Sequence, residues 1–239
     1  MPSSEPVVET FRVRRKFPGG EPSSLFDDGM HAEVLTRWQR GWSLARGWID
    51  YSSTDGVTTV NIGEPDRRVE YVTTSEHAAT AVKLAQTDGH PPGTSWLAIA
   101  ADDPAAIAPL ELLRTEWLMT IALADHPIHP VPPPYRLEVT ARPAVIDAHI
   151  YGYGELAASG RMTVLRSDAI ADMIYTTPAH RHRGLAKATM TALTQAAHHQ
   201  SATTGLLSAS CEGRSLYHSL GWTTLTNLVV ARTPVPSPV

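Results

Sequence analysis

The spacing of apolar residues in the first half of the chain predicts helices that alternate with short strands. Between residues 28 and 50, apolar side chains recur at every third or fourth position: Val34, Trp38, Trp42, Ala45 and Trp48. This spacing predicts an amphipathic helix, and Gly41 and Gly47 leave two shorter helices as the alternative. Strands are predicted over 57–63, 67–74 and 94–102, a helix from Ser75 to about Ala85, and another helix starting at Asp103-Pro104. The apolar segment that follows, up to Leu123, fits a helix or a strand.

A proline-rich segment, residues 125–136, divides the chain. It contains five prolines, which exclude a helix interior and a central strand. Beyond it, strands are predicted over 135–141, 144–156, 160–167, 168–177 and 203–210, with one or two more over 222–232, and helices over 183–199 and 212–220. We therefore expect an irregular segment over 1–25, a helix-rich N-terminal α/β half over 26–134, a second domain over 135–232 and a tail over 233–239.

Composition narrows the class of protein. The chain has 239 residues, of which 42% are apolar, enough to bury a sizeable core. Its formal charge of −4 argues against nucleic-acid binding, which needs a broad positive surface. The single cysteine, Cys211, excludes an internal disulfide, and no apolar run reaches the roughly 18 residues of a membrane span. We expect a soluble cytoplasmic protein without nucleic-acid or membrane partners, and no internal sequence repeat is evident.

The stretch PAHRHRGLAKATM, residues 178–190, carries the most informative local chemistry. It joins a predicted strand to a predicted helix through a turn that contains Gly184. A helix N-terminus exposes unpaired N–H groups, and a glycine there lets a phosphate approach the main chain closely. The stretch lacks the spaced glycines of a Walker loop or a dinucleotide fingerprint. His180 and His182 could be read as a metal pair, but no further ligand stands at a matching spacing, so no metal is expected.

Two segments together resemble the GNAT superfamily of acyl-CoA-dependent N-acyltransferases. Residues 181–186, RHRGLA, fit its (Gln/Arg)-x-x-Gly-x-(Gly/Ala) signature, and GRSLYHSLGW, residues 213–222, resembles its A-x-x-L-Y-x-x-x-G-(F/W) segment. The resemblance covers roughly residues 135–232. It implies an α/β (α+β) fold with a mixed, mostly antiparallel central sheet flanked by helices, and it leaves open whether the N-terminal half is a degenerate copy of that fold.

The resemblance also implies where an acyl-CoA would bind. The backbone amides of Ile174, Tyr175 and Thr176 would receive the pantetheine arm. The turn after them would bind the pyrophosphate through residues Arg181, His182, Arg183, Gly184, Leu185, Ala186 and Lys187. Ser210 stands where the family commonly has asparagine, which would weaken one contact with the cofactor or the following helix.

Two residues are candidates for proton transfer. Tyr217 matches the tyrosine that often protonates the leaving thiolate in the family, with a packed core tyrosine as the alternative. Period-two alternation places Ile170, Asp172 and Ile174 on one strand face, where Asp172 is the ionisable group and hence the candidate base. A structural pair with an arginine is its alternative, and Asp168 is the reserve. Three histidines are further alternative bases: His126, His129 and His149.

The expected function is transfer of an acetyl group from acetyl-CoA, as cosubstrate, to a primary amine. The acceptor could be a small molecule or a peptide or protein amine, and the chain a monomer or homodimer. The family usually has two helices between its first two strands, and here only a few residues around Ala141–Pro143 separate them. We expect the N-terminal half to supply the acceptor site instead, through Trp38, Trp42 and Trp48. The alternatives are a non-catalytic acyl-CoA-binding module and transfer of a longer acyl group.

Overall fold

The computed structural model of the chain describes residues 24–101 and 107–236, with side chains from residue 29 onward. The predictions for residues 1–23, for a helix start at Asp103-Pro104 and for the last three residues of the tail lie outside the described residues. The α-helices are α1 (Ser24–Arg46), α2 (Ala78–Thr87), α3 (Leu185–His199) and α4 (Cys211–Ser219). The strands are β1 (Tyr51–Thr54), β2 (Val57–Glu64), β3 (Arg67–Thr74), β4 (Ser95–Ala100), β5 (Glu111–Ala122), β6 (Arg136–Arg142), β7 (Val145–Gly152), β8 (Glu155–Leu165), β9 (Asp168–Thr176), β10 (Thr204–Ala209) and β11 (Thr223–Arg232).

The predicted amphipathic helix is present as α1, which runs without a break through Gly41, so the alternative of two shorter helices is wrong there. Gly41 lies against Ile170 of β9, where a Cβ atom would come within 2.4 Å of that side chain. Two local predictions are corrected. The predicted strand 144–156 is a hairpin of β7 and β8, since Tyr153 and Gly154 both have positive φ and form the turn. Ser75 does not cap α2, because it lies in a 3-10 turn that precedes the helix.

All described strands form one sheet in the order β1-β2-β3-β4-β11-β5-β10-β9-β8-β7-β6. Two neighbouring pairs are parallel, β3 with β4 and β9 with β10. The other pairs are antiparallel. The predicted mixed, mostly antiparallel sheet flanked by helices is therefore confirmed.

Helices cover both faces of the sheet. Along β4, Leu97 and Ile99 pack in one cluster with α2, whereas Ala98 packs on the opposite face with Trp38 and Trp42 of α1. The residues of α3 and α4 join the core on the face away from α1. Alternating apolar positions on central strands make such a three-layer arrangement possible, because both faces of the strand are buried.

The order of the strands is nearly a palindrome about the β11–β5 pair. On each side an antiparallel hairpin leads through a helix into a parallel strand, as β2-β3-α2-β4 in the first half and β8-β9-α3-β10 in the second. The last strand of each half lies beside the other half: β5 pairs with β10, and β11 pairs with β4. The two halves thus exchange their final strands and share one sheet.

The two halves differ at their parallel pairs. In the first half, β3 and β4 stay paired from Val69↔Ser95 to Thr74↔Ala100. In the second half, the pairing of β9 with β10 ends at Ala171↔Leu207, although β9 continues for five more residues. A bulge interrupts the register of β9 against β8 at this place, where Met173 has a φ of 56°. A bulge bends its strand, so β9 leaves β10 and opens a notch in the sheet.

Candidate functional site

A cavity of about 820 Å³ lies at the notch between β9 and β10. One wall consists of the turn after β9, the start of α3 and one side of α4. The opposite wall consists of α1 and of side chains from β3, β4, β5 and β11. The notch therefore joins two compartments, which we call the donor end, on the side of α3 and α4, and the acceptor end, on the side of α1. This volume is in the range of sites for small molecules.

The donor end is built around the N-terminus of α3. Gly184 is the N-cap residue with a φ of 76°, and no side chain caps the helix. A Cβ atom on Gly184 would meet nothing within 4 Å. The first N–H groups of α3 are therefore accessible from the cavity, and their positive dipole end favours an anion.

The diverging part of β9 offers polar groups to the notch. The N–H of Thr177 donates to the carbonyl of Ala157 in β8 at 2.9 Å. By alternation, the N–H groups of Ile174 and Thr176 point away from β8 and into the notch. The Oγ1 of Thr176 is buried without a hydrogen-bond partner among the described residues. A ligand with amide groups in the notch would pair with the N–H groups of Ile174 and Thr176, which are costly to leave unpaired.

The structure brings nearly all the predicted site residues to this cavity. Those that line it are Asp172, Ile174, Tyr175, Thr176, Arg181, His182, Gly184, Leu185, Ala186, Lys187, Ser210 and Tyr217. Arg183 does not line it, because its guanidinium donates to the hydroxyl of Tyr135 at 2.9 Å and to the carbonyl of Ala179. The expected role of Arg183 in phosphate binding stays a prediction. Ser210 serves as the N-cap of α4 and accepts a hydrogen bond from the N–H of Gly213 at 3.1 Å.

Tyr217 lies on α4 where the two ends of the cavity meet. Its side chain is buried. Burial raises the pKa of the phenol, and the negative charge of Asp172 raises it further. The hydroxyl therefore stays protonated at neutral pH, which is the state that a proton donor needs.

The prediction that Ile170 and Ile174 share one strand face is wrong. Ile170 packs in the α1 core, whereas Ile174 packs against the α3 core. The bulge at Met173 inserts a residue that breaks the period of two. Asp168, Ile170 and Asp172 precede the bulge and keep the predicted alternation, so Asp172 faces α1 and the acceptor end.

Arg46 of α1 binds Asp172 with two hydrogen bonds. Its Nε lies 2.6 Å from Oδ2 and its Nη2 lies 2.9 Å from Oδ1. Burial alone would lower the pKa of Arg46, and the hydrogen-bonded carboxylate more than offsets this, so that the pKa is raised. The alternative of an arginine partner for Asp172 is thus present in the structure. The pair holds the carboxylate at the rim of the notch.

The reserve candidates for a base lie outside the cavity. Asp168 is buried and is bound by Arg37, whose Nε lies 2.9 Å from Oδ2. Arg37 and Arg46 are nine helical residues apart, and Asp168 and Asp172 are four strand residues apart. Both separations span about 13 Å, so the two pairs fasten α1 along β9. The three histidines that were alternative bases also lie away from the cavity lining: His126, His129 and His149.

Charged residues of the first half line the acceptor end, and the sequence analysis missed them. They are Arg46, Arg67, Glu70, Arg114 and Glu116. Arg67 binds Glu70, and the Nε of Arg114 lies 2.6 Å from Glu116. A signal was available, since Arg114 and Glu116 stand two residues apart and so share one face of a strand. The strand order that places β3 and β5 in one sheet with β9 was not available.

Two tryptophans of α1 line the cavity at the acceptor end, and the expected acceptor role of the three tryptophans stays a prediction. Trp38 and Trp42 stack with ring centroids 5.4 Å apart and both line the cavity. Trp48 packs edge-on against Trp42 at 5.0 Å without lining the cavity itself. Helix α1 carries Trp38 and Trp42. It occupies the face of the sheet that the β6–β7 connection, a short hairpin, leaves uncovered.

Two further observations concern metal binding and membrane spans in the described residues. Among the described residues, no group of three or more histidine, cysteine, aspartate or glutamate side chains could hold a metal ion. None of the described helices is long and apolar enough to cross a membrane.

Comparisons with known proteins agree with this geometry. Residues 144–232 match the family model of the acetyltransferase (GNAT) domain. No curated protein matches the chain in sequence. Among solved structures, a GCN5-related N-acetyltransferase from Kribbella flavida is similar with a TM-score of 0.64 at 13% identity, over 87% of this chain and 96% of its own.

Two other solved structures share the fold at low identity. A putative acetyltransferase of the GNAT family from Novosphingobium aromaticivorans has a TM-score of 0.57 at 14% identity, over 84% of this chain and 97% of its own. A tandem GNAT protein from the clavulanic acid biosynthesis pathway has a TM-score of 0.51 at 13% identity, over 76% of this chain and 79% of its own. The family match supports acyl transfer as the general chemistry. Residues 144–232 are therefore a GNAT acetyltransferase domain, as the motifs around Gly184 and Tyr217 predicted.

Proposed function

We propose that the protein is an N-acyltransferase that transfers an acetyl group from acetyl-CoA to a primary amine by direct attack in a ternary complex. The observation that carries this proposal is the single cavity that joins a donor end at Gly184 to an acceptor end at Arg67, with Tyr217 and Asp172 between them. A donor and an acceptor that enter from opposite faces of the sheet would meet at the notch. Holding two reactants in this way removes much of the entropic cost of their encounter.

The donor end fits the parts of an acyl-CoA in turn. The N–H groups at the start of α3 would bind the pyrophosphate, with Arg181 and Lys187 adding positive charge. The pantetheine arm has amide groups that pair with strand-like backbone, and the free N–H groups of Ile174 and Thr176 are placed for it. The thioester would then lie beside Tyr217, where β9 and β10 have parted.

The reaction needs proton transfers at the amine and at the thiolate. The ammonium must lose a first proton before the nitrogen lone pair attacks the thioester carbonyl and forms the C–N bond. We assign this proton to Asp172, directly or through a water. As the tetrahedral intermediate collapses, the C–S bond breaks and the thiolate takes a proton from the Tyr217 hydroxyl. The nitrogen then releases its second proton, which restores the Tyr217 hydroxyl and leaves a neutral amide. A backbone N–H of the diverging β9 segment would stabilise the oxyanion.

The first half of the chain has a different role in this proposal. Its parallel strands β3 and β4 remain paired to the end of β4, so it offers no notch for a pantetheine arm. Its α2 begins at Ala78 with His77 as the N-cap residue, without a glycine turn. We infer that only the second half binds acyl-CoA, and that the first half provides the acceptor end.

Replacing Tyr217 by phenylalanine tests the proton donor. We expect kcat for thiol release from acetyl-CoA, with an amine that the wild type accepts from a library, to fall by about 10²-fold. The KM for acetyl-CoA should change little, because the ring still fills its site. Tyr153→Phe is the matched control, since Tyr153 is 75% exposed and lies outside the cavity. An unchanged kcat in Tyr217→Phe would remove Tyr217 from the mechanism, and acetyl-CoA binding by the wild type without turnover of any amine would support a non-catalytic module.

Replacing Asp172 by asparagine tests the base. Free amines such as a lysine side chain have a pKa of about 10.4, so raising the pH towards that value supplies neutral amine without help from the protein. We therefore expect a defect in kcat/KM at pH 7 that shrinks steadily up to pH 9. A defect that stays constant with pH would assign Asp172 to positioning through Arg46 rather than to proton transfer.

A pair of glycine variants tests the phosphate turn. Gly184→Val places a branched side chain where the helix N–H groups face the cavity, and we expect the Kd for acetyl-CoA to rise by at least about tenfold. Gly89→Val is the control, because Gly89 has a φ of 78°, close to the 76° of Gly184, and equally open surroundings. Both variants carry the same backbone strain, so calorimetric titration separates strain from loss of the phosphate site. Equal affinity in the two variants would contradict the assignment.

A further inference from the structure

The charges at the acceptor end are balanced in number but not in hydrogen bonding. Three carboxylates face three guanidinium groups there. Both oxygens of Asp172 accept from Arg46. Both oxygens of Glu116 are also engaged, one by Arg114 and the other by the hydroxyl of Ser208. These two carboxylates are thus already partnered by the protein itself.

Arg67 and Arg114, in contrast, have hydrogen-bond donors that the described part of the protein does not use. Arg67 gives one nitrogen, Nη2, to Glu70, and its Nε is buried without a hydrogen-bond partner among the described residues. Arg114 uses its Nε for Glu116. A guanidinium carries five N–H donors, so the two arginines retain several donors for a ligand. Because the Nε of Arg67 is closed to solvent, a ligand that accepts hydrogen bonds would use the terminal guanidinium nitrogens of the two arginines.

Both arginines contact the same tryptophan. The guanidinium carbon of Arg67 is 4.7 Å from the ring centroid of Trp96, and that of Arg114 is 5.7 Å from the same centroid. Trp42 and Trp48 hold Arg67 from other sides, at 5.4 Å and 5.2 Å. Three aromatic contacts on Arg67 and one on Arg114 restrict the orientation of these guanidinium groups before a ligand arrives.

Repulsion among the arginines also favours an anionic ligand. Burial lowers the pKa of Arg67 to about 10, and the positive charges of Arg46 and Arg114 contribute to the decrease. The guanidinium is still charged at neutral pH. An anion placed between Arg67 and Arg114 would relieve this repulsion, whereas a cationic group of the ligand at that place would increase it.

We infer that the acceptor carries a carboxylate as well as its primary amine, and that Arg67 and Arg114 bind this carboxylate. The inference rests on the proposed function, because it assumes that the acceptor end receives an amine. The amine would point to Asp172 and Tyr217 at the notch. Trp38, Leu228 and Val230 line the cavity beside them, so the rest of the molecule is expected to be apolar. The chemical class is that of an α-amino acid, or a similar amino carboxylate, with an apolar side chain.

The first experiment measures binding without the reaction. Apolar N-acetyl amino acids and their carboxamides, from alanine to tryptophan in size, are titrated into the full chain. The Kd of each ligand is measured by calorimetry. For ligands that carry no indole, the change in fluorescence of the tryptophans around Arg67 gives a second measurement of the Kd. We expect at least one acid to bind roughly tenfold or more tightly than its own amide, because the pair differs in the charge that two arginines recognise. Equal affinity of acid and amide throughout the series, or no binding of any acid, would overturn the inference.

Three variants assign the preference to its residues. Arg114→Gln and Arg67→Lys should each reduce the acid-to-amide ratio of affinities several-fold, the second because an ammonium cannot form the planar two-point contact. Arg136→Gln is the matched control. Arg136 also pairs with a glutamate two residues along its strand, Glu138, but it lies on β6 and is exposed. A ratio that stays unchanged in folded Arg114→Gln and Arg67→Lys would overturn the assignment.

The second experiment separates this inference from the proposed function. The free amino acids and their amides are compared as acceptors in thiol release from acetyl-CoA, and we expect the acids to have the higher kcat/KM. Acid-selective binding without thiol release from any amine would support the carboxylate site and contradict the transferase. Thiol release that prefers the amides or the decarboxylated amines would support the transferase and contradict the carboxylate site.

Discussion

β9 and β10 run side by side as far as Ala171 and Leu207, and from there the left-handed residue Met173 carries β9 away. The proposed function depends on this parting. The parting opens the cavity at the notch, and in the proposal it leaves the backbone N–H groups of Ile174 and Thr176 for the donor and places Tyr217 beside both reactants. The first half of the chain has the same strand–helix–strand order without the parting, which is why the proposal gives it no donor site.

The exchange of final strands makes the two halves one site. Because β5 lies between β11 and β10, Arg114 and Glu116 of the first half stand next to Ser208 of the second. Ion pairs to Asp168 and Asp172 hold helix α1 against β9. The half whose parallel strands stay paired therefore forms one wall of the cavity. In the proposed function, helix α1 of this half takes the place of the helices that the second half lacks.

The sequence predicted those parts of the site whose signal is local. The turn at Gly184, the helix after it and the short helix of Tyr217 each lie within a few residues of their own markers, and the structure has them where the pattern placed them. Face assignments beyond Met173 failed, because one inserted residue reverses the alternation and leaves no trace in composition. The acceptor end could not be predicted, since Arg67 and Arg114 meet only through the order of strands in the sheet. The negative net charge of the chain also gave no indication of a cavity in which arginines have unused hydrogen-bond donors.

The central claim is that one parted pair of strands makes one acyl-CoA site in a chain of two similar halves. Calorimetric titration of the full chain with acetyl-CoA tests it most directly. The account predicts saturable binding with a stoichiometry of one acetyl-CoA per chain. Two acetyl-CoA molecules per chain would show that the first half binds the donor despite its paired strands, and absence of binding would show that the notch is not a donor site at all. Either of these results would contradict the account.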